Sequence, residues 1–335
     1  MTAATSSQEG AAAPSPPPQE LRSGPRRQLT DLGFYAEWAA LIGLIVLVVV
    51  FQSINSTFLS TGNVEAILTA SAILVILSVG QTFVITTGGI DLSVASVMTF
   101  AAIVFALAYE HGWGLGGACV AAVFAGSAVG AVNGLLVSVG KVTDFIATLG
   151  TLSAASGLAL ILAGGSPITV IDSTLLDLTS GGLSVFGWSF IVAAVIAVIA
   201  HVMYFWTRFG THVLAVGGSA EAAAASGIRT GRVKFAVYLL AGALAGVGAI
   251  LLVARVGAAE PAANTTYLLN SVAAVVLGGV SLVGGRGRIA GPVLGALLLT
   301  ALTNGLTLLG VSQFYQPLSV GIVVVLAALL ARFQR

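Results

Sequence analysis

The chain has 335 residues, of which 57% are apolar and only 7% charged, and its formal net charge is +1. Mean hydropathy is +1.05. A soluble domain cannot hide that much apolar surface behind so few charges, so lipid is the solvent for much of the chain. No basic patch lies outside the short loops, which excludes a nucleic-acid partner. Cys119 is the single cysteine; it rules out an intrachain disulfide and reads as a small packing residue.

Residues 1–30 stand apart. They are rich in Ala, Ser, Pro and Gln, with Pro16-Pro17-Pro18 in a row. Such a segment has little to bury and is expected to be a disordered cytoplasmic tail. Arg26-Arg27 invites a twin-arginine reading, but no small-residue cleavage motif follows the first apolar run. Residues 31–335 read as one transmembrane domain. About ten apolar runs follow, near 36–51, 64–86, 92–109, 113–139, 144–163, 188–206, 232–253, 267–283, 288–310 and 313–331, each able or nearly able to cross a core of roughly 30 Å. The runs at 92–109 and 267–283 are short, so one or both are expected to be broken or tilted.

The cations test this count. With the N-terminus inside, all of the 13 lysines and arginines except Arg255 fall in inner segments. That is a strong positive-inside bias, and it breaks if one span is added or lost. The expected fold is therefore all-α and polytopic, with both termini cytoplasmic. It leaves the Gly-rich segment 164–187 outside. Gly126, Gly130 and Gly134 share one helix face, as do Gly242 with Gly246 and Gly291 with Gly295; small faces of this kind let helix backbones approach.

Three polar segments interrupt the spans. Thr87-Gly88-Gly89-Ile90-Asp91-Leu92-Ser93 joins the second and third runs. Asp91 and Ser93 suit the start of the next helix. A substrate-path element and a tight interhelical turn both fit the pattern. The inner segment 207–231 carries Gly217-Gly218-Ser219, then Glu221 and Ala222 to Ala225, then Ser226-Gly227. Ser219 and Glu221 suit a helix start and Gly227 a C-terminal cap, so a short cytoplasmic helix is expected there. It has little core to join, and a partner surface is its natural destination. The third segment, Gly284-Gly285-Arg286-Gly287-Arg288, forms an inner turn.

Enzyme and nucleotide signatures are missing from the sequence. Lys141 precedes Val142 and Lys234 precedes Phe235, so neither lysine completes a Walker motif. There is no HExxH or GxSxG pattern, and His111, His201 and His212 lack ligand spacing. If transport is ATP-driven, ATP and Mg²⁺ bind to another subunit, and this chain needs no cofactor of its own. The spans do offer uncharged polar groups suited to a polyhydroxy solute: Gln81, Thr82, Asn133, Asn270 and Asn304.

The segments Gly88–Ser93, Asn133–Val137 and Phe145–Thr151, followed by Gly217-Gly218, Ser226-Gly227, Gly278-Gly279 and Asn304-Gly305, resemble the permeases of ribose-type ABC importers. The resemblance runs from about residue 35 to the C-terminus. One departure is Val142-Thr143-Asp144, where the family often has a proline before the phenylalanine. The resemblance implies a multi-pass subunit of the bacterial inner membrane that pairs with a second copy or a paralogue. It also implies ATPase subunits docked on the inner face and an extracytoplasmic sugar-binding protein docked near 164–187. Gly217, Gly218, Glu221, Ala222, Ser226 and Gly227 would form the coupling helix against the ATPase. Gln81, Gly88, Gly89, Asp91, Ser93, Asn133 and Asn304 would belong to the translocation path, through which a monosaccharide passes by alternating access. Nucleosides, autoinducers and branched-chain amino acids are alternative cargoes within the same superfamily. A secondary transporter using Asp91 and Asp144 as ion-coupling carboxylates is a rival, though both lie at inner ends of spans rather than at the midplane.

Overall fold

The computed structural model describes residues 39–262 and 265–331. The expected tail at 1–30 and the terminal cations Arg332 and Arg335 lie outside these residues. Among the described residues, each apolar run contains a helix. The first five are α1 (Ala39–Ile54), α2 (Thr61–Thr86), α3 (Val94–Glu110), α4 (Gly114–Ser138) and α5 (Asp144–Leu162). After α6 (Ser173–Ser180) comes α7 (Trp188–Trp206), then α8 (Arg208–Gly218), α9 (Ala220–Ala225) and α10 (Thr230–Val256). The chain closes with α11 (Thr265–Leu277), α12 (Ala290–Leu308) and α13 (Gln316–Ala331). Among the described residues, six helices are long and apolar enough to cross a membrane: α2, α4, α5, α7, α10 and α12. The apolar helices α1, α3, α11 and α13 are shorter.

The run at 267–283 stops being helical at Leu277. Gly279 beyond it takes a φ of 76°, a conformation that costs glycine nothing and other residues much. The chain turns there into the loop 278–289.

Helix α2 is the centre of the bundle. Every residue from Ser71 to Thr86 is buried, with α7, α10, α11 and α12 packed around it. The glycine faces do the work expected of them. A methyl group at Gly130 would meet the Gly242 Cα at 3.1 Å, and one at Gly246 the Ala122 carbonyl oxygen at 2.7 Å. Helices α4 and α10 therefore touch backbone to backbone. Gly295 of α12 packs on Ala274 of α11 in the same way.

The interhelical contacts sort into two ends. At one end β1 (Ile168–Thr169) pairs antiparallel with β4 (Ala258–Ala259), and β2 (Gly182–Leu183) with β3 (Phe186–Gly187). Asp172 accepts from the backbone of Thr174 at 2.8 Å and so caps α6. Tyr109 donates to the other Asp172 oxygen at 3.0 Å, and this hydrogen bond holds the Asp172 carboxyl below its usual range. The segment 164–187, read only as Gly-rich and external, is thus a small folded cap. The opposite end gathers the end of α2, the α4–α5 turn, α8–α9 and the loop 278–289.

One expectation needs correction. The segment 207–231 holds two helices, not one. Thr207 caps α8 through the Gly210 N–H, and Val213 and Val216 are buried against the bundle. The segment therefore has a core to join, because α8 is amphipathic.

Two glycine substitutions separate close packing from mere occurrence of the residue. Gly130→Leu drives a side chain into the α10 backbone and is expected to cost about 1–3 kcal/mol. Gly116, with nothing within 4 Å of an added methyl, is expected to accept alanine without loss. Thermal unfolding of the two variants in detergent checks the contrast.

Candidate functional site

The site begins where α2 stops. Gly88 takes a φ of 78°. Its N–H reaches the Ile85 carbonyl at 2.9 Å, and that of Gly89 reaches Val84 at 3.1 Å. This paired bonding ends a helix on a left-handed glycine and turns the chain into the loop 87–93.

The loop is held by a buried polar chain. Asp91, 3% exposed, accepts through Oδ1 from the Ser93 N–H at 2.8 Å and the Ser93 hydroxyl at 2.6 Å. Asn133 of α4 donates to the Ser93 hydroxyl at 2.9 Å. Thr151 of α5 donates to the Asn133 carbonyl oxygen at 2.7 Å. From α2, the Gln81 amide donates to the Asp91 backbone oxygen at 2.6 Å. Three helices, α2, α4 and α5, are thus fastened to one loop. Neither residue caps α3 as expected: Asp91 accepts from Ser93, the residue just before the helix, and the Ser93 hydroxyl serves the Asp91–Asn133 link.

Gly89 lies under two further groups. A methyl group there would come within 2.9 Å of the Tyr238 hydroxyl and 3.2 Å of an Asp144 oxygen. Asp144 pairs with Lys234 of α10 at 3.5 Å. Thr143 is the extended N-cap of α5 and Asp144 its first residue. Where the family resemblance leads one to expect proline, the helix start supplies a carboxylate to an ion pair instead.

Behind the loop three backbones meet. The Gly285 N–H donates to the Thr86 carbonyl at 2.9 Å. A methyl group at Gly217, near the end of α8, would collide with that same Thr86 oxygen. One at Gly284 would lie 2.9 Å from both the Gly217 oxygen and the Gly88 nitrogen. Gly284 and Gly285 carry φ values of 93° and 72°. Nearby, Thr86 and Tyr204 hydroxyls are 3.2 Å apart.

Helix α9 follows directly from this junction. Ser219 caps it by accepting from the Ala222 N–H at 3.1 Å. Gly227, with φ 82°, closes it through bonds from Gly227 to Ala224 and from Ile228 to Ala223. Ala223 is buried and anchors the helix, while Glu221, Ala222, Ala224, Ser226 and Gly227 are exposed. Gly218 is exposed too, and an added methyl there meets nothing within 4 Å.

On the far side of the loop lies a cavity of about 880 Å³ between α11, α12 and α13. Ile90 and Leu92 belong to its wall, and Asn270 lines it. The remaining sequence-predicted path residues divide. Gln81, Gly89, Asp91, Ser93 and Asn133 come together as the buried scaffold of the loop, and Gly88 joins the glycine junction. Asn304 is elsewhere: it exchanges amide hydrogen bonds with Asn63 at 3.1 and 3.0 Å. Asn63 sits eighteen residues before Gln81 on α2, about 27 Å away at 1.5 Å per residue. Thr86, Thr151, Tyr204 and the cavity residues other than Ile90, Leu92 and Asn270 were not singled out by the sequence. Thr151 lies within a motif of the resemblance, which was the available pointer. Among the described residues, no group of three His, Cys, Asp or Glu is placed to hold a metal ion.

A family described as the branched-chain amino acid transport system / permease component matches residues 63–330. The ribose import permease protein RbsC of Bacillus subtilis is 39% identical over 322 residues, covering 94% of this chain and 98% of its own. The L-arabinose ABC transporter permease protein AraH of Azospirillum brasilense is 34% identical, covering 87% of each chain. The galactose/methyl galactoside import permease protein MglC of Escherichia coli is 31% identical, covering 89% and 95%. No solved structure is significantly similar to the chain.

The Asp91 links predict a graded response. Asp91→Ala strands the buried Ser93 N–H, at an expected cost of about 1–3 kcal/mol. Asp91→Asn keeps an acceptor oxygen and is expected to lose less. Unfolding midpoints of the purified variants give the order.

Proposed function

The chain belongs to the branched-chain amino acid transport system / permease component family, and we propose that it is the membrane-spanning subunit of an ATP-driven monosaccharide importer. The sugar assignment comes from the relatives, whose names specify ribose, L-arabinose and galactose. The observation that carries the mechanism is the glycine junction, which ties the exposed helix α9 to the loop 87–93 through Gly217, Thr86 and Gly285.

In this reading the protein is a multi-pass inner-membrane subunit whose apolar helices cross about ten times. Two observations support that number. The cation bias favours an even count with both ends inside. The structural contacts also sort successive loops alternately to opposite ends of the bundle, with Ile168–Ala259 and Tyr109–Asp172 at one end and Thr86–Gly285 and Asp144–Lys234 at the other.

The exposed face of α9 is the coupling surface. A partner ATPase, which holds ATP and Mg²⁺, closes on Glu221, Ala222, Ser226 and Gly227 and moves α8–α9 as a unit. With no side chain between Gly217 and Thr86, that displacement reaches the end of α2 undamped. It passes through Gly88 to Ile90 and Leu92 at the cavity. A second copy or a paralogue completes the path. An extracytoplasmic sugar-binding protein docks on the cap formed by 164–187, where Ile171, Leu176 and Leu183 are exposed. Alternating access follows from the movement of the loop 87–93.

Gly217 and Gly218 separate the two roles of this segment. Gly217→Leu overpacks the junction, by about 1–3 kcal/mol if the backbone yields, and is expected to abolish ATP-driven uptake while the subunit still co-purifies with its ATPase. Gly218→Ala is expected to transport normally. Uptake in reconstituted vesicles, with mass spectrometry of co-purified proteins, reads both. Normal uptake by Gly217→Leu, or a solitary permease that transports without ATP, overturns the coupling assignment.

A further inference from the structure

The cavity between α11, α12 and α13 has a consistent chemistry. Its volume of about 880 Å³ lies within the roughly 300–1,000 Å³ usual for small-molecule sites. Its polar lining comprises three hydroxyls and three amides: Thr265, Thr266, Thr303, Asn270, Gln313 and Gln316. Among the described residues, no charged side chain lines it. An amino acid entering such a cavity would leave an ammonium and a carboxylate without counter-charges, at a large desolvation cost. A neutral polyhydroxy solute meets donors and acceptors in kind.

The lining is also graded along its length. Thr265, Thr266, Asn270, Gln313 and Gln316 lie on the first turns of α11 and around the start of α13, together with Thr303 near the end of α12. These segments are at the end of the bundle that carries the 164–187 cap. The opposite portion is apolar, with Val276, Val324, Leu92 and Ile90. Gly321 opens onto the cavity in the middle of α13, where an added methyl meets nothing within 4 Å. Glycine inside a helix costs about 1 kcal/mol relative to alanine, so the free space beside it has a reason to be kept.

We propose that this cavity is the permease's own intermediate site for a neutral monosaccharide, which rests in the polar ring above an apolar closure made by Ile90 and Leu92. The proposal deepens the importer reading and rests on it. Affinity is weak by construction: the polar groups are few and belong to three helices, and a transported solute must leave as readily as it enters. The closure is the outer face of the loop that Gly88 and Asp91 anchor, so coupling and solute passage share one element.

The test uses the full transporter, reconstituted with its ATPase and binding protein, and uptake of D-ribose, L-arabinose and D-galactose. Absence of ATP-driven uptake of all three by the unsubstituted protein overturns the importer reading itself. With uptake established, Asn270→Leu is expected to reduce it about tenfold, the equivalent of one net hydrogen bond. Gly321→Ala is expected to transport normally and Gly321→Phe to transport nothing, since only the larger side chain fills the space. A second readout does not depend on these variants folding well. In a Cys119→Ser background, Val272→Cys is expected to react with a small methanethiosulfonate, more slowly in the transported sugar and at an unchanged rate in L-leucine. Full uptake by both Asn270→Leu and Gly321→Phe overturns the site. So does a Val272→Cys thiol that no sugar protects.

Discussion

The structure depends on a place where three stretches of backbone meet with no side chain between them. Gly217, Thr86 and Gly285 are in direct contact, and Gly284 and Gly285 sit in conformations that other residues adopt only under strain. Close-packed backbone has little compressibility. A shift of α8 therefore cannot be absorbed by rotamer changes, as it would be in a contact built from leucines. The junction is a direct physical route from the segment that carries the exposed helix α9 to the interior of the bundle.

The loop 87–93 lies directly against that contact. A buried carboxylate is costly unless its oxygens are satisfied, and Asp91 meets the cost with two bonds from Ser93. Asn133 and Thr151 extend the chain across α4 and α5. The loop is consequently rigid on its inner side and apolar on its outer side, where Ile90 and Leu92 face the cavity. Polar atoms within the bundle are spent on holding the loop together; the polar groups that line the cavity belong to other elements.

Much of this was legible in the sequence because apolar runs, helix caps and glycine spacing are local features. Ser219 and Gly227 bound α9 as their cap chemistry requires, and Gly126, Gly130 and Gly134 lie against α10. What escaped is what only tertiary contact decides. Val213 and Val216 look like any loop residues until α8 packs them into the bundle. Asn133 and Asn304 are the same residue type in similar surroundings of sequence. One braces Ser93 and the other clasps Asn63, far along α2, because their partners are distant in the chain. The polar lining of the cavity draws on threonines, glutamines and Asn270 from α11, α12, α13 and the turn before α13, which carry no common period.

The central claim is that closure at α9 is felt at the loop 87–93. Ile90 is 38% exposed and faces the cavity, so a thiol at this position reports on the loop directly. The decisive measurement is the labelling rate of Ile90→Cys, in a Cys119→Ser background, in the reconstituted transporter before and after trapping the ATPase with ATP and vanadate. The account predicts a clear change in rate on trapping, lost when Gly218→Trp blocks docking at α9. A rate that trapping leaves unaltered, in a transporter that still moves sugar, would contradict it.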